Sequence, residues 1–381
     1  ASSRRAAPVC GWGRTTRHMW RLAASGRMVR AAMQQSVRRG VVFGGGEFQH
    51  AGVTRRVLSV IDLDAETPGA RPLLTDFLPH GFAIHPQRPA RVALFEKKGP
   101  GACVLDLAAE RVVLVLKPSP GRRFYGHGVF VQGGAVLVSA ESAQEDNVGA
   151  LVARDGTTGA VLGVVPTHGL APHDCALLPD GTTMVVAHGG SALHATGGAP
   201  SVTWVDLPSG RLLERITMPS ARINAGHLAV NARGDLAVVS APRDGLVPVD
   251  EHLGAVTLRP AGKRATQVTR PVSTVRRMRG ETLSVLLLEA SRTVLATHPL
   301  GDCVTAWGLD DGRPRATWTL TEPRGLVRSL DGQWVLVSHR DAGAMTLSAF
   351  SAKTLEPVEF ALRPSFVTGS HLGITRWDAP R

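Results

Sequence analysis

Apolar residues along this chain fall into short β-length runs broken by turn residues, with no long stripe of helical period. The runs are ordered. HGFAI, HGVFV, HDCALL and HLAV, opened by His80, His127, His173 and His227, are each followed by a turn (HPQRP, QGG, PDGTT, NARGD). A second apolar run then follows: VALFE, VLVSA, MVVAH or LAVVS. The histidines are 47, 46 and 54 residues apart. A period of that size containing only strand-type runs is the signature of propeller blades.

The register continues past the fourth histidine. It places Leu283 and then Arg324 at the histidine position, and one more step of 47 residues reaches His371 near the C-terminus. The other half of each unit repeats as an apolar run, a turn and a second run, as in VLSVIDLDAETPGARPLL and VTWVDLPSGRLLERI. Seven copies of each half predict an all-β fold, a seven-bladed β-propeller with four-stranded blades. The N-terminal runs VVFGGG and VLSVIDL lack an innermost strand, and the strand after His371 lacks a blade. The first blade is therefore expected to be closed by the C-terminal strand, which removes exposed edges.

Composition agrees with one β-domain over residues 41–381, since Gly 42 and Pro 25 supply the turns. The net charge of +12 is concentrated in residues 1–40, which hold nine arginines and no acid and read as a basic arm, disordered or helical. The rest is nearly neutral, with 34 basic against 31 acidic residues, so the charge does not argue for nucleic-acid binding. No apolar run is long enough for a transmembrane segment. Cys10, Cys103, Cys175 and Cys303 have no zinc-finger spacing and read as free thiols. GxSxG, HExxH and P-loop motifs are absent, and the glycines of FGGGEF fit a strand and tight turn.

The candidate chemistry is therefore the histidine series. Inner propeller strands surround one axis, so His80, His127, His173, His227 and His371 are expected to converge there. Neutral imidazole is a strong ligand for iron, copper, zinc and nickel. Ligating histidines need partners on the other ring nitrogen, and Asp174, Glu141 and Asp146 are the nearby sources. Glu96, His188, His298 and His339 end second strands on the same face. Of these, His188 and His339 join Tyr125 and Arg324 as candidates for orienting or ligand-binding roles, with Arg324 suited to an anion. A second use of the series is purely structural, with the imidazoles hydrogen-bonding between blades.

The blocks FYGHGVF (124–130), GLAPHDCALLPDGTTMVVAHGG (169–190), GHLAV (226–230) and RRMRG (276–280) resemble an exported bacterial propeller family of unknown function, domain of unknown function 1513. The resemblance implies a twin-arginine signal and a periplasmic location. It also implies gene neighbours among imelysin-like iron-uptake proteins and dihaem peroxidase-like proteins, hence a part in metal handling, iron foremost. Two features depart from that pattern: Arg4–Arg5 is not followed by an apolar signal core, and His188 stands where the family has Asn. The expected function is a periplasmic propeller that binds iron or copper through the histidines, accessory to metal uptake. A metal-dependent oxidoreductase and an interaction scaffold are the alternatives.

Overall fold

The computed structural model describes residues 38–246 and 252–377; nearly all of the basic arm lies outside them. Strands dominate, arranged as five four-stranded antiparallel sheets and one of eight strands. The eight-stranded sheet is two four-stranded sets joined where Lys97 and Gly99 of the strand Arg91–Gly99 pair with Tyr125 and Phe124 of Arg122–Val131. The result is a propeller-like, all-β body. Among the described residues, no helix is long and apolar enough to cross a membrane.

Each set is a simple meander whose position in the sheet dictates its composition. Second strands such as Leu236–Ser240 and Thr183–His188 are buried along their whole length. Their alternate faces serve different neighbours. Leu236 and Val238 pack with Val185 and Trp204 of the preceding set, whereas Ala237 and Val239 pack with Val294 and Trp307 of the next. A strand covered on both sides has to be apolar throughout, which is why these runs do not alternate in sequence. The outermost strand Arg211–Thr217 does alternate between exposed and half-buried positions, as a strand with one wet face should.

The same packing recurs between every consecutive pair of sets. It also joins the last to the first: Leu336, Leu347 and Ala349 pack with Val42 and Ile61. The C-terminal strand Leu372–Thr375 pairs antiparallel with the start of Val41–His50, in the sheet that continues through Val53–Asp62 and Ala70–Leu74. Gly44–Gly46 sit inside Val41–His50, and a Cβ on Gly45 would lie 1.9 Å from the Pro79 carbonyl oxygen. Those glycines thus allow close backbone approach rather than receiving a phosphate.

The inner strands Pro79–Ile84, Arg122–Val131, Pro172–Leu177, Leu228–Val230, Val285–Leu288, Leu326–Arg328 and Leu372–Thr375 contact one another in that order. The expected histidines lie in or immediately before five of them. Cys103, Cys175 and Cys303 are buried free thiols, and burial raises the Cys103 thiol to about 12.

Candidate metal centre

Three of the five histidines reach inward because the backbone departs from the sheet ladder at each of them. Pairing with the second strand skips from Pro79 to Gly81 around His80, from Phe124 to Gly128 around Tyr125, Gly126 and His127, and from Pro172 to Asp174 around His173. Such bulges re-aim side chains out of the regular pleat. Gly126 makes the closest of these turns possible, with φ of +110°, and a Cβ there would lie 2.5 Å from His80 Cδ2. His227 and His371 each immediately precede their inner strand, and no bulge is needed.

The imidazoles pack into one cluster. His227 and His371 have ring centroids 4.2 Å apart, His173 and His227 4.6 Å, His127 and His371 4.8 Å, and His80 and His371 4.9 Å. One ring nitrogen from each of His80, His127, His227 and His371 lies within 4.8 Å of the other three. His173 stacks against His80 at 6.3 Å and completes the group.

Hydrogen bonding sorts the two nitrogens of these rings. His127 Nδ1 lies 3.0 Å from Asp174 Oδ1, His80 Nδ1 3.2 Å from Ser370 Oγ, and His227 Nδ1 contacts the Leu283 carbonyl oxygen. A carbonyl only accepts, so His227 carries its proton on Nδ1 and presents a lone pair at Nε2. The carboxylate imposes the same tautomer on His127. The Nε2 atoms of His80, His127 and His173 are buried and have no hydrogen-bond partner. His227 Nε2 and His371 Nε2 face each other at 2.9 Å. Two nitrogens bound at about 2.1 Å to one metal at a right angle would stand about 3 Å apart, so this spacing suits adjacent ligands of one ion.

Electrostatics favours the ligating form. Burial, reinforced by mutual repulsion and, for His80 and His173, by the Lys97 charge, holds the pKa values of His80, His173 and His227 well below the ordinary imidazole range. Burial lowers those of His127 and His371 to about 3. The five rings are therefore neutral near pH 7, as metal ligands must be. Asp174 accepts from the Cys175 and Leu228 backbone N–H groups as well as from His127. Burial pushes its carboxyl up, opposed by charge on His371 and by those two N–H groups. A nearby cation would restore full ionisation. A cavity of about 460 Å³ reaches His127, Asp174 and His371 from one side, and a cleft of about 120 Å³ reaches His173 and Tyr125 from the other.

The remaining candidates divide. Tyr125 is buried edge-on to His173 at 6.2 Å, and burial raises its hydroxyl to about 12. Arg324 lies in the region of Lys97, with its Nε buried and unpartnered. His188 is fully buried, flush against Gly169, with neither ring nitrogen hydrogen-bonded. His339 bonds Ser348 Oγ and the Arg340 carbonyl. Glu141 serves another purpose than the one expected, forming a buried ion pair with Arg154 at 2.7 Å. Asp146 caps its own turn at the Val148 N–H, and Glu96 accepts from the Gly101 N–H. Ser370, the Leu283 carbonyl and Lys97 were not anticipated. The only sequence signals were the serine preceding His371 and the persistence of the histidine register through Leu283.

A family model described as protein of unknown function (DUF1513) matches residues 78–363. The chain belongs to that family. Every histidine of the cluster except His371 lies inside the DUF1513 match, and His371 lies eight residues beyond its end. Among curated proteins, none matches the sequence significantly. A solved chain of Kuenenia stuttgartiensis hydrazine synthase is similar in fold, with a TM-score of 0.61 over 86% of this chain and 99% of that one. At 13% identity, that likeness concerns the fold of this DUF1513 member alone.

Proposed function

We propose that this protein is a closed seven-bladed β-propeller over residues 41–381 that binds one transition metal, iron or copper, through His80, His127, His173, His227 and His371. The closure is supported by the apolar packing between the last and first sets and by the C-terminal strand in the first sheet. The metal reading rests on one observation above all: the Nε2 atoms of His80, His127 and His173 are buried within one imidazole cluster without protein partners, while the opposite nitrogens of His80 and His127 are held by Ser370 and Asp174. Burying a polar group without a hydrogen bond costs about 1–3 kcal/mol, so several such atoms in one cluster are expensive unless an ion is bound among them.

An all-imidazole set suits iron, copper, zinc or nickel, and carboxylates would be wanted for calcium or magnesium. The chain's own groups would tune the site. Asp174 and the Leu283 carbonyl orient His127 and His227 and raise their basicity as ligands. With the family resemblance, the reading extends to a periplasmic protein accessory to metal uptake or handling, with iron-uptake or peroxidase-like proteins as partners.

The test is elemental analysis of purified protein after separate loading with iron, copper and zinc. The comparison is a His127→Ala, His371→Ala double variant shown by circular dichroism to be folded. Near-stoichiometric iron or copper in the native protein, lost from the variant, is the expected result. No retained metal in the loaded native protein, or equal retention in both, overturns the reading.

A further inference from the structure

The histidine cluster is approached from two sides, and the two approaches differ in chemistry. The cleft past His173 is lined by Lys97, Lys98, Asp244 and Glu281, charged side chains of both signs. The chamber of about 460 Å³ that ends on His127, Asp174 and His371 carries no lysine or arginine among the described residues that line it. Lys97, whose charge reaches His127 and His371, belongs to the opposite cleft. The chamber's walls follow from strand order. Pro79–Ile84, Pro172–Leu177 and Leu372–Thr375 each stand last on one side of their sheets, so one edge of each backbone has no strand partner. Half-buried Ile84, Val129 and Leu177 supply aliphatic surface beside them.

Asp174 is the one acid among the described residues of the chamber wall, and both its oxygens are engaged. Oδ1 faces His127 Nδ1 and accepts from the Cys175 N–H, and Oδ2 accepts from the Leu228 N–H. An entering anion would meet that carboxylate and no cationic side chain. A cation would find carboxylate oxygens already spent on three N–H groups. Either charge would be desolvated without a partner, which is costly. An uncharged molecule meets neither obstacle, since aliphatic surface takes its body and free backbone groups take a polar end. The chamber's volume lies within the range of roughly 300–1,000 Å³ usual for small-molecule sites.

We infer that this chamber binds a small uncharged organic molecule, of the size of a substituted benzene, held against Ile84, Val129 and Leu177 with its leading end at His127 and His371. The inference deepens the metal reading by naming the class of molecule that would meet the ion from this side, and it rests on that reading for the meeting alone. The seat is made by residues outside the imidazole cluster, so it can be filled whether or not an ion is bound.

The experiment is calorimetric titration of the full chain with three probes of one shape and different charge: benzamide, benzoate and benzamidine, the last a cation at neutral pH. The probes are ranked on metal-free protein, where no ion can recruit the carboxylate, and again after metal loading. Metal content is measured on every sample. Val129→Trp and Leu177→Trp, each checked for folding by circular dichroism, fill the chamber from two walls. We expect benzamide to bind metal-free protein at least tenfold more tightly than either charged probe. Each tryptophan variant should weaken that binding at least tenfold with metal content unchanged. Equal affinities for the three probes, no binding of benzamide, or undiminished binding in the folded variants overturns the chamber site. The ranking on native protein decides the matter even where a variant does not fold. Benzamide-selective binding to a protein that retains no metal upholds the chamber while the metal reading fails, and metal retention without benzamide binding does the reverse.

Discussion

His127 and His298 are both buried imidazoles whose pKa values are lowered to about 3, yet the protein treats their nitrogens in opposite ways. His298 ends the strand Thr293–His298 and is satisfied twice, by Thr282 Oγ1 at 3.1 Å and by Thr305 Oγ1 at 2.8 Å. Thr305 in turn accepts from the Trp307 indole at 2.7 Å. His127 is held by Asp174 at Nδ1, and its Nε2 is left bare. Burial and a depressed pKa therefore do not mark a functional histidine in this fold. What separates the two is a bare nitrogen inside a cluster of imidazoles: a ligand must keep one lone pair free, and His127 does so beside His80, His227 and His371, whereas His188, equally bare, stands outside that group.

The largest effect that could break this contrast is on metal occupancy. His227→Ala is expected to abolish stoichiometric metal binding and leave a folded protein, since that ring contributes two nitrogens of opposite use. His298→Ala should leave metal content intact and lower stability by about 2–3 kcal/mol, because it opens a cavity and strands the Thr282 hydroxyl. Elemental analysis and urea unfolding of the two variants side by side separate these outcomes. Metal loss in His298→Ala would erase the distinction between the two classes.

Asp174→Asn sharpens the comparison at the next level down. The amide keeps the size of the carboxyl group and removes the charge that fixes the His127 tautomer. Metal affinity should fall about 10–100-fold, the usual cost of losing such a partner. Competition with a chromophoric chelator measures it, and an unchanged affinity would show that Asp174 only braces the Cys175 and Leu228 backbone.

What the sequence reveals here is whatever the repeat makes local. The spacing from His80 to His371 locates the inner strands, because each four-stranded set repeats the same turn chemistry and burial order. Side-chain direction is a different matter. Nothing in HGFAI or HDCALL announces that the ladder skips His80 and His173, since a bulge is set by packing between sheets rather than by the residues that form it. Glu141 misleads for the same reason. It sits close in sequence to the expected ring, but the adjacent strand Val148–Asp155 delivers Arg154 to it from thirteen residues away. The Leu283 carbonyl is invisible to any reading of side chains, although it accepts from His227 Nδ1 and so fixes that ring. Lys97, which lines the cleft beside His173, comes from a strand that overruns its own set.

The smallest expected effect concerns protons, and its sign follows from the depressed pKa of His298. In the unfolded chain this imidazole takes up a proton near pH 6.5, while in the fold it stays neutral down to about 3. The unfolded state therefore binds more protons throughout that window. Stability is flat above it and falls as pH drops from about 6.5 towards 3. Between pH 7 and pH 6, one such group costs less than about 1 kcal/mol, and the slope approaches about 1.4 kcal/mol per pH unit below that. His298→Gln removes this proton acceptor from the unfolded chain and keeps a side chain able to bond Thr282 or Thr305. Its unfolding free energy should accordingly vary less steeply with pH between 6.5 and 5 than that of the native protein. Parallel slopes in urea titrations across that range would mean that His298 is protonated within the fold, and that its two threonine contacts do not exclude the charge.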